Sequence, residues 1–298
     1  MGDTEYHGLD DEVRSWVKYL RSENKSPRTI KLYSDAVRYY AEWCVANGHE
    51  VAPDRASIVD YLADSAATVK PGTALTRFKH LRAFCAFLVA EGDLAISPMA
   101  GLKPPTVPEE PVPVLTDEDL TRLVKAAAAH PDPFTARRDE ALLRMLIDTG
   151  ARISELVGIQ LEDVGDGAAW VTGKGSRRRV LIFGAKTDRA LDRYLRARKA
   201  HRHAALSALW LTQRGAMSKD AADERIRVTA ETAGVEGVHA HRFRHTWAHD
   251  YLAAGGGEQS LKRLAGWRSD AMLARYGASQ ADARARAEAT RLRRGDRI

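Results

Sequence analysis

The stretch SPMAGLKPPTVPEEPVP, residues 97–113, holds six prolines between Pro98 and Pro113. Each proline fixes its own φ and removes a backbone donor, so the stretch suits neither a helix interior nor the middle of a sheet. It reads as a semi-rigid connector. The boundary it sets divides the chain into a domain over 1–106, a linker over 107–113 and a second domain over 114–298. A chain of 298 residues is long enough for two such domains, each with its own core.

Upstream of the prolines the sequence reads as helices. Val13, Trp16, Val17 and Leu20 repeat at helical spacing after Asp10 and Asp11. Ser26-Pro27 supplies an N-cap with proline at the first helical position and opens PRTIKLYSDAVRYYAEWCVAN, which Gly48 closes. Asp54 caps RASIVDYLAD, and TALTRFKHLRAFCAFLVAEG ends at Gly92. Four helices in about 90 residues predict a small bundle.

Downstream, Thr116 to Asp119 reads as a capping box for DEDLTRLVKAAAA. FTARRDEALLRMLIDTG is an amphipathic helix stopped by Gly150, and ARISELVGI restarts a short helical turn. AAWVTG and RRVLIF predict two strands around the glycine-bearing turn GKGSR. KTDRALDRYLRARKAHR, ADERIRVTAETAG, HRFRHTWAHDYLAAGG, EQSLKRLAG and SDAMLARYG return to helix, followed by an Ala/Arg-rich tail. The expected fold is therefore mainly α, with a small β-sheet confined to the second domain.

Composition narrows the chemistry. Hydrophobic residues make up 44% and charged residues 29%, the balance of a globular chain, and no apolar run approaches a membrane span. The acidic start MGDTEYHGLDDE is unlike a secretion signal. Cys44 and Cys85 sit in helical apolar patterns and are expected as buried free thiols of the reducing cytoplasm. The formal charge is +6, and eleven Lys and Arg against two Asp fall between Lys174 and Arg202. The tail from Ala281 adds six arginines against three acids. Any one of these is an ordinary solvated charge, but the imbalance over the whole segment makes nucleic acid the leading partner.

The segment HAHRFRHTWAHD, residues 239–250, invites a metal reading, with four histidines. It lacks the Glu of H-E-x-x-H, has no nearby Cys, and carries two arginines that would repel a divalent cation. Phosphate fits better. The Arg244 guanidinium is a planar fork suited to phosphate oxygens, and His241 lies one helical turn before it. Arg152 follows a helix end, where amides of the restarting turn face outward, and Lys174 tips the glycine-bearing turn. Singly, each is an ordinary surface charge.

Their order is more specific. TGARISELVGI, VTGKGSRRRVLIF, HRFRH and LAGWRSDAMLARYG resemble the motif blocks of the tyrosine recombinases, the phage integrase family. The resemblance runs over nearly the whole chain, since SPRTIKLYSDAVRYYAEW is similar to that family's N-terminal core-binding bundle. It implies a SAM-like helical bundle followed by the recombinase catalytic domain. It also places the family's Arg, Lys, His-x-x-Arg, His or Trp, and Tyr at Arg152, Lys174, His241, Arg244, Trp267 and Tyr276, with Glu155 at a commonly acidic position. Most members have histidine where this chain has Trp267, whose indole N–H donates a hydrogen bond but cannot act as a base.

The chemistry so implied is attack of the Tyr276 phenol on a DNA phosphate, giving a 3′-phosphotyrosyl bond and releasing a 5′-hydroxyl. Arg152 and Arg244 would bracket the nonbridging oxygens, Lys174 would protonate the leaving oxygen, and His241 would serve in acid–base work. Neither metal nor cofactor is needed. The resemblance implies double-stranded DNA as partner, a homotetramer on two sites, no small-molecule substrate, and work at the nucleoid in the cytoplasm. The chain begins about ten residues before its first bundle helix, so an arm-binding domain is not expected. A type IB topoisomerase and a DNA-binding regulator without catalysis stay open as alternatives. So does the choice among integrase, resolvase and transposon enzyme.

Overall fold

The structure, a computed structural model, describes residues 8–108, 113–173 and 177–267, with 286, 289, 290 and 295. The chain forms two compact units, Met1–Glu109 and Glu110–Ile298. It is mainly helical, and its sheets lie in the second unit.

In the first unit four helices enclose one core: α1 (Asp10–Ser22), α2 (Pro27–Ala46), α3 (Arg55–Thr68) and α4 (Pro71–Glu91). Local chemistry fixes their ends. The Ser26 hydroxyl accepts from the Thr29 amide at 3.2 Å, and the Asp54 carboxylate accepts from the Ala56 and Ser57 amides. Proline occupies the first position of α2 and α4, so α4 starts two residues earlier than the apolar pattern alone predicts. Helix α3 likewise runs past Asp64 to Thr68, beyond its last apolar repeat. Trp16, Val37, Tyr40, Ile58, Phe78, Phe84 and Cys85 fill the centre. Arg55 donates to the carbonyls of Pro98 (2.9 Å) and Ala100 (2.8 Å) and Met99 is buried, so the start of the proline-rich stretch is stitched onto this unit.

The second unit is built around α6 (Pro133–Thr149), which packs between α5 (Asp117–Ala128), α8 (Ala185–Lys199) and α10 (Ala240–Ala253). The Thr116–Asp119 capping box forms as predicted. Helix α7 (Ile153–Val157) leads through a 3-10 turn, Leu161–Asp163, into an antiparallel sheet of β1 (Val164–Gly165), β2 (Ala168–Gly173) and β3 (Arg177–Ile182). Two further strands, β4 (Leu211–Thr212) and β5 (Gly215–Ala216), form a separate hairpin before α9 (Lys219–Ala233). Helix α11 (Glu258–Ala265) ends the continuously described chain and stops at Gly266, φ +65°.

Part of the basic run after Lys174 is tied up within the fold. Arg198 is buried and donates to the carbonyls of Ala204, Leu206, Ala208 and Leu209, tying the loop after α8 to that helix. Arg193 pairs with Glu140, and Arg178 with Asp163. Lys186, Arg189, Arg196, Lys199 and Arg202 stay exposed, so the segment still presents a cationic surface.

Candidate active site

Helix α10 opens on His239, whose Nδ1 accepts from the Arg242 amide at 3.2 Å and so serves as the N-cap. This directs the first turn. His241 stands exposed, while Arg244, on the inward face, is 1% exposed. A guanidinium so deeply placed must be hydrogen-bonded. Its Nη1 donates to the Gly150 carbonyl at 2.8 Å and its Nη2 to the Ala265 carbonyl at 2.6 Å. Its Cζ lies 5.3 Å from the centre of the Trp267 ring, a cation–π contact.

Gly150 must be glycine here. It adopts φ +53° to stop α6, and a side chain on it would overlap the Trp247 indole. The chain then turns into Arg152, the N-cap of α7. Glu155 satisfies this turn: its Oε2 accepts from the Arg152 amide at 2.9 Å and its Oε1 from Arg152 Nη1 at 2.8 Å. The amide expected to face an anion is thus occupied by Glu155, and the Arg152 side chain, 40% exposed, is what faces outward.

Glu155 has a second cation. Arg179, on β3, donates from Nη2 to Glu155 Oε2 at 2.8 Å and from Nη1 to the Leu264 carbonyl. Burial alone pushes the Glu155 carboxyl up. The charge of Arg179 and the hydrogen bonds from both arginines more than offset this, and hold it below its ordinary value. Glu155 is therefore an anion at neutral pH, buried between two guanidiniums.

Both networks end on α11. Arg244 bonds Ala265, Arg179 bonds Leu264, and a side chain at Gly266 would stand 4.0 Å from Arg152 Nη1 and 3.4 Å from Arg179 Cδ. The next residue, Trp267, is 6% exposed among Ala248, Leu252, Leu261 and Ala265. Of the residues singled out in the sequence, Arg152, Glu155, Arg244 and Trp267 thus gather around the last turn of α11. Lys174 and Tyr276 lie outside the described residues.

The remaining histidines separate into distinct roles. The His241 and His245 rings meet edge to face with centres 4.3 Å apart, and His245 is buried. His249 Nδ1 lies 3.0 Å from Asp250. Arg179 was not legible as part of the site. Its one signal is an arginine on a strand whose alternate positions, Leu181 and the cross-strand Ala169 and Val171, are buried and apolar.

Residues 113–283 match the description of the Phage integrase family, and the chain belongs to that family. Tyrosine recombinase XerD of Corynebacterium glutamicum is 30% identical over 270 residues, 85% of this chain and 88% of that protein. Tyrosine recombinase XerC of Pseudomonas fluorescens is 29% identical over 265 residues, 87% of this chain and 88% of that one. The fold is shared with XerH site-specific recombinase bound to a palindromic difH substrate, at TM-score 0.74 and 16% identity, over 93% of this chain and 83% of that one. It is also shared with a lambda integrase dimer bound to a COC′ core site, at TM-score 0.71 and 16% identity, over 90% and 76%. The chain is accordingly an enzyme of the tyrosine recombinase class.

Proposed function

We propose that this chain cuts and rejoins strands of duplex DNA at specific sites, using Tyr276 as nucleophile and forming a 3′-phosphotyrosyl intermediate. The observation that carries the reading is the convergence of Arg152 and Arg244 on the last turn of α11. That turn leads directly to Trp267 and, nine residues on, to Tyr276.

A phenol is ordinarily protonated at neutral pH and is a weak nucleophile. Two guanidiniums held in place before substrate arrives favour its phenolate and the pentacoordinate phosphorane alike, without reorganisation at the moment of reaction. Arg152 reaches outward from its Glu155 brace, while Arg244 is braced by two backbone carbonyls. In this scheme Lys174 protonates the departing 5′-oxygen and His241, exposed at the start of α10, serves in acid–base work. Trp267 stands where most of the family has histidine. There it supports the phosphate by an indole hydrogen bond and by holding Arg244, with no proton transfer of its own.

The division at the prolines assigns 1–106 to grip the duplex and 114–298 to catalysis, joined by 107–113. A lambda integrase tetramer bound to a Holliday junction shares the fold, and we propose a homotetramer on paired sites here too. The cytoplasm, at the nucleoid, is the expected place of work. Among the described residues no helix is long and apolar enough to cross a membrane.

The test is covalent capture. The full chain is incubated with a library of nicked duplexes of randomised sequence, denatured, and the protein-linked DNA sequenced. Expected are adducts enriched for one related set of sequences, with the linkage at Tyr276, and none from Tyr276→Phe. Adducts without sequence enrichment, with relaxation of any supercoiled plasmid, would mean a topoisomerase. Enriched binding without adducts would mean a regulator.

A further inference from the structure

Arg179 has no reacting role in that scheme, yet three segments of the site meet on it. Its backbone belongs to β3, five residues beyond Lys174 and paired with Val171. Its Nη2 holds Glu155, the carboxylate that braces Arg152 from two sides, and its Nη1 holds the Leu264 carbonyl in the last turn of α11.

Packing does not explain an arginine there. Its strand neighbours on the inner face, Ala169, Val171 and Leu181, are buried and apolar, and the Arg179 side chain is only 13% exposed. Among the described residues its Nε is buried without a hydrogen-bond partner, a desolvation cost that an inward Met or Leu would avoid. Replacing both members of a buried ion pair by apolar side chains of similar volume is often neutral or stabilising, so stability alone does not call for the Arg179–Glu155 pair. What an apolar residue cannot supply is a directed link between the carboxylate behind Arg152 and the turn that carries Trp267.

We propose that Arg179 is a positioning residue that yokes the Arg152–Glu155 pair to the end of α11 and to the strand after Lys174, setting these parts of the site in one register. It acts through Glu155 and the Leu264 carbonyl and does not touch the reacting phosphate. The proposal rests on the recombinase reading of this site. Its mechanism is geometric: Arg244 already ties the end of α6 at Gly150 to Ala265, and Arg179 adds the link that runs from the Arg152–Glu155 pair itself to Leu264. A misplacement of about 1 Å between reacting groups costs roughly 100-fold in rate.

The experiment uses the full chain and a nicked duplex obtained by the covalent capture described above. Native protein, Arg179→Met, Arg179→Lys, Glu155→Gln and the double variant Arg179→Met/Glu155→Gln are compared. Duplex affinity, single-turnover cleavage rate and urea unfolding midpoint are measured for each. Arg179→Met leaves Glu155 with Arg152 alone, so its midpoint is expected to fall; it should still fold and bind the duplex within about threefold, while cleaving about 100-fold more slowly. Arg179→Lys keeps one charge for Glu155 but offers a point donor that cannot also reach Leu264, so about tenfold of the rate returns. The double variant should cleave no more slowly than the slower single variant, because both changes break one chain of contacts.

Cleavage by Arg179→Met at the native rate would overturn the proposal, as would losses that multiply in the double variant. So would a rate that falls only in step with the unfolding midpoint. If Arg179→Met does not fold, Arg179→Lys and its cycle with Glu155→Gln decide the matter on the same criteria. A native chain that captures no duplex overturns the recombinase reading, and this proposal with it. A native chain that cleaves beside an unimpaired Arg179→Lys chain overturns the proposal alone.

Discussion

Glu155 grips Arg152 twice, at the guanidinium through Oε1 (2.8 Å) and at the backbone amide through Oε2 (2.9 Å). The same carboxylate thus caps α7 and aims the side chain that leaves it. Because Arg179 also donates to Oε2, removing the charge of Glu155 strands a nearly buried cation as well as freeing an exposed one.

Stability should therefore depend on pH through Glu155. Its carboxyl is held below the ordinary value of 4.5, because Arg179 and the hydrogen bonds outweigh the opposing effect of burial. A group depressed in the folded state contributes stability above its unfolded pKa and loses it as pH falls through the folded value. The unfolding free energies of native protein and Glu155→Gln, from urea titrations, should differ most at pH 7, by about 3 kcal/mol, since breaking a buried ion pair leaves its partner uncompensated. The gap should narrow progressively below pH 4.5. A gap that stays constant, or widens, down to pH 3 would exclude this role.

Gly150 and Gly234 both end helices in the left-handed region, at φ +53° and +64°, but their surroundings differ. An added side chain at Gly234 meets nothing within 4 Å, whereas at Gly150 it overlaps the Trp247 ring. Gly234→Ala should cost only the backbone strain, about 1 kcal/mol. Gly150→Ala adds overpacking and should cost about 3 kcal/mol. Since Gly150 also offers its carbonyl to Arg244, the second substitution should depress DNA cleavage beyond its effect on folding. Equal urea midpoints for the two variants would contradict the packing described.

Cys44 and Cys85 report on the bundle. Both are fully buried, and burial pushes both thiols up, Cys85 to about 12. Reaction requires a thiolate in contact with reagent, so at pH 8 a chromogenic disulfide reagent should label the native protein only as fast as the first unit opens. Both thiols should then react together, with a rate that rises with urea. A rapid stoichiometric reaction in buffer would mean that the α2–α4 packing is wrong.

Helix ends were the most legible part of the fold, because a cap is decided within four residues: Ser26, Asp54, Thr116, Gly92, Gly150 and Gly234 all act where their chemistry predicts. Two-residue strands such as β1, β4 and β5 carry no periodicity and exist only through a partner strand. The site divided in the same way. Arg152, Glu155, Arg244 and Trp267 stand in recognisable local motifs, whereas the part of Arg179 depends on Glu155, 24 residues away, and on Leu264, 85 residues away. Arg198 shows the converse limit: within RARK it reads as a surface charge, but four carbonyls of a following loop draw it inside.

Arg244 joins the two halves of the site, spanning from the end of α6 at Gly150 to the end of α11 at Ala265. Only a forked cation does this from one position; lysine presents a single point donor. Arg244→Lys should therefore satisfy one carbonyl and lose the other, costing about 2 kcal/mol of stability for the unmet buried acceptor. Arg244→Met, which meets neither, should cost about twice as much by the same reasoning. Cleavage should respond differently from folding. If Arg244 clamps the phosphate as proposed, each variant should fall at least about 100-fold in single-turnover rate on a captured duplex. Measuring rate and urea midpoint on the same preparations separates the two effects. A lysine variant that cleaves near the native rate while losing stability would leave Arg244 as a brace between helices and remove it from the chemistry.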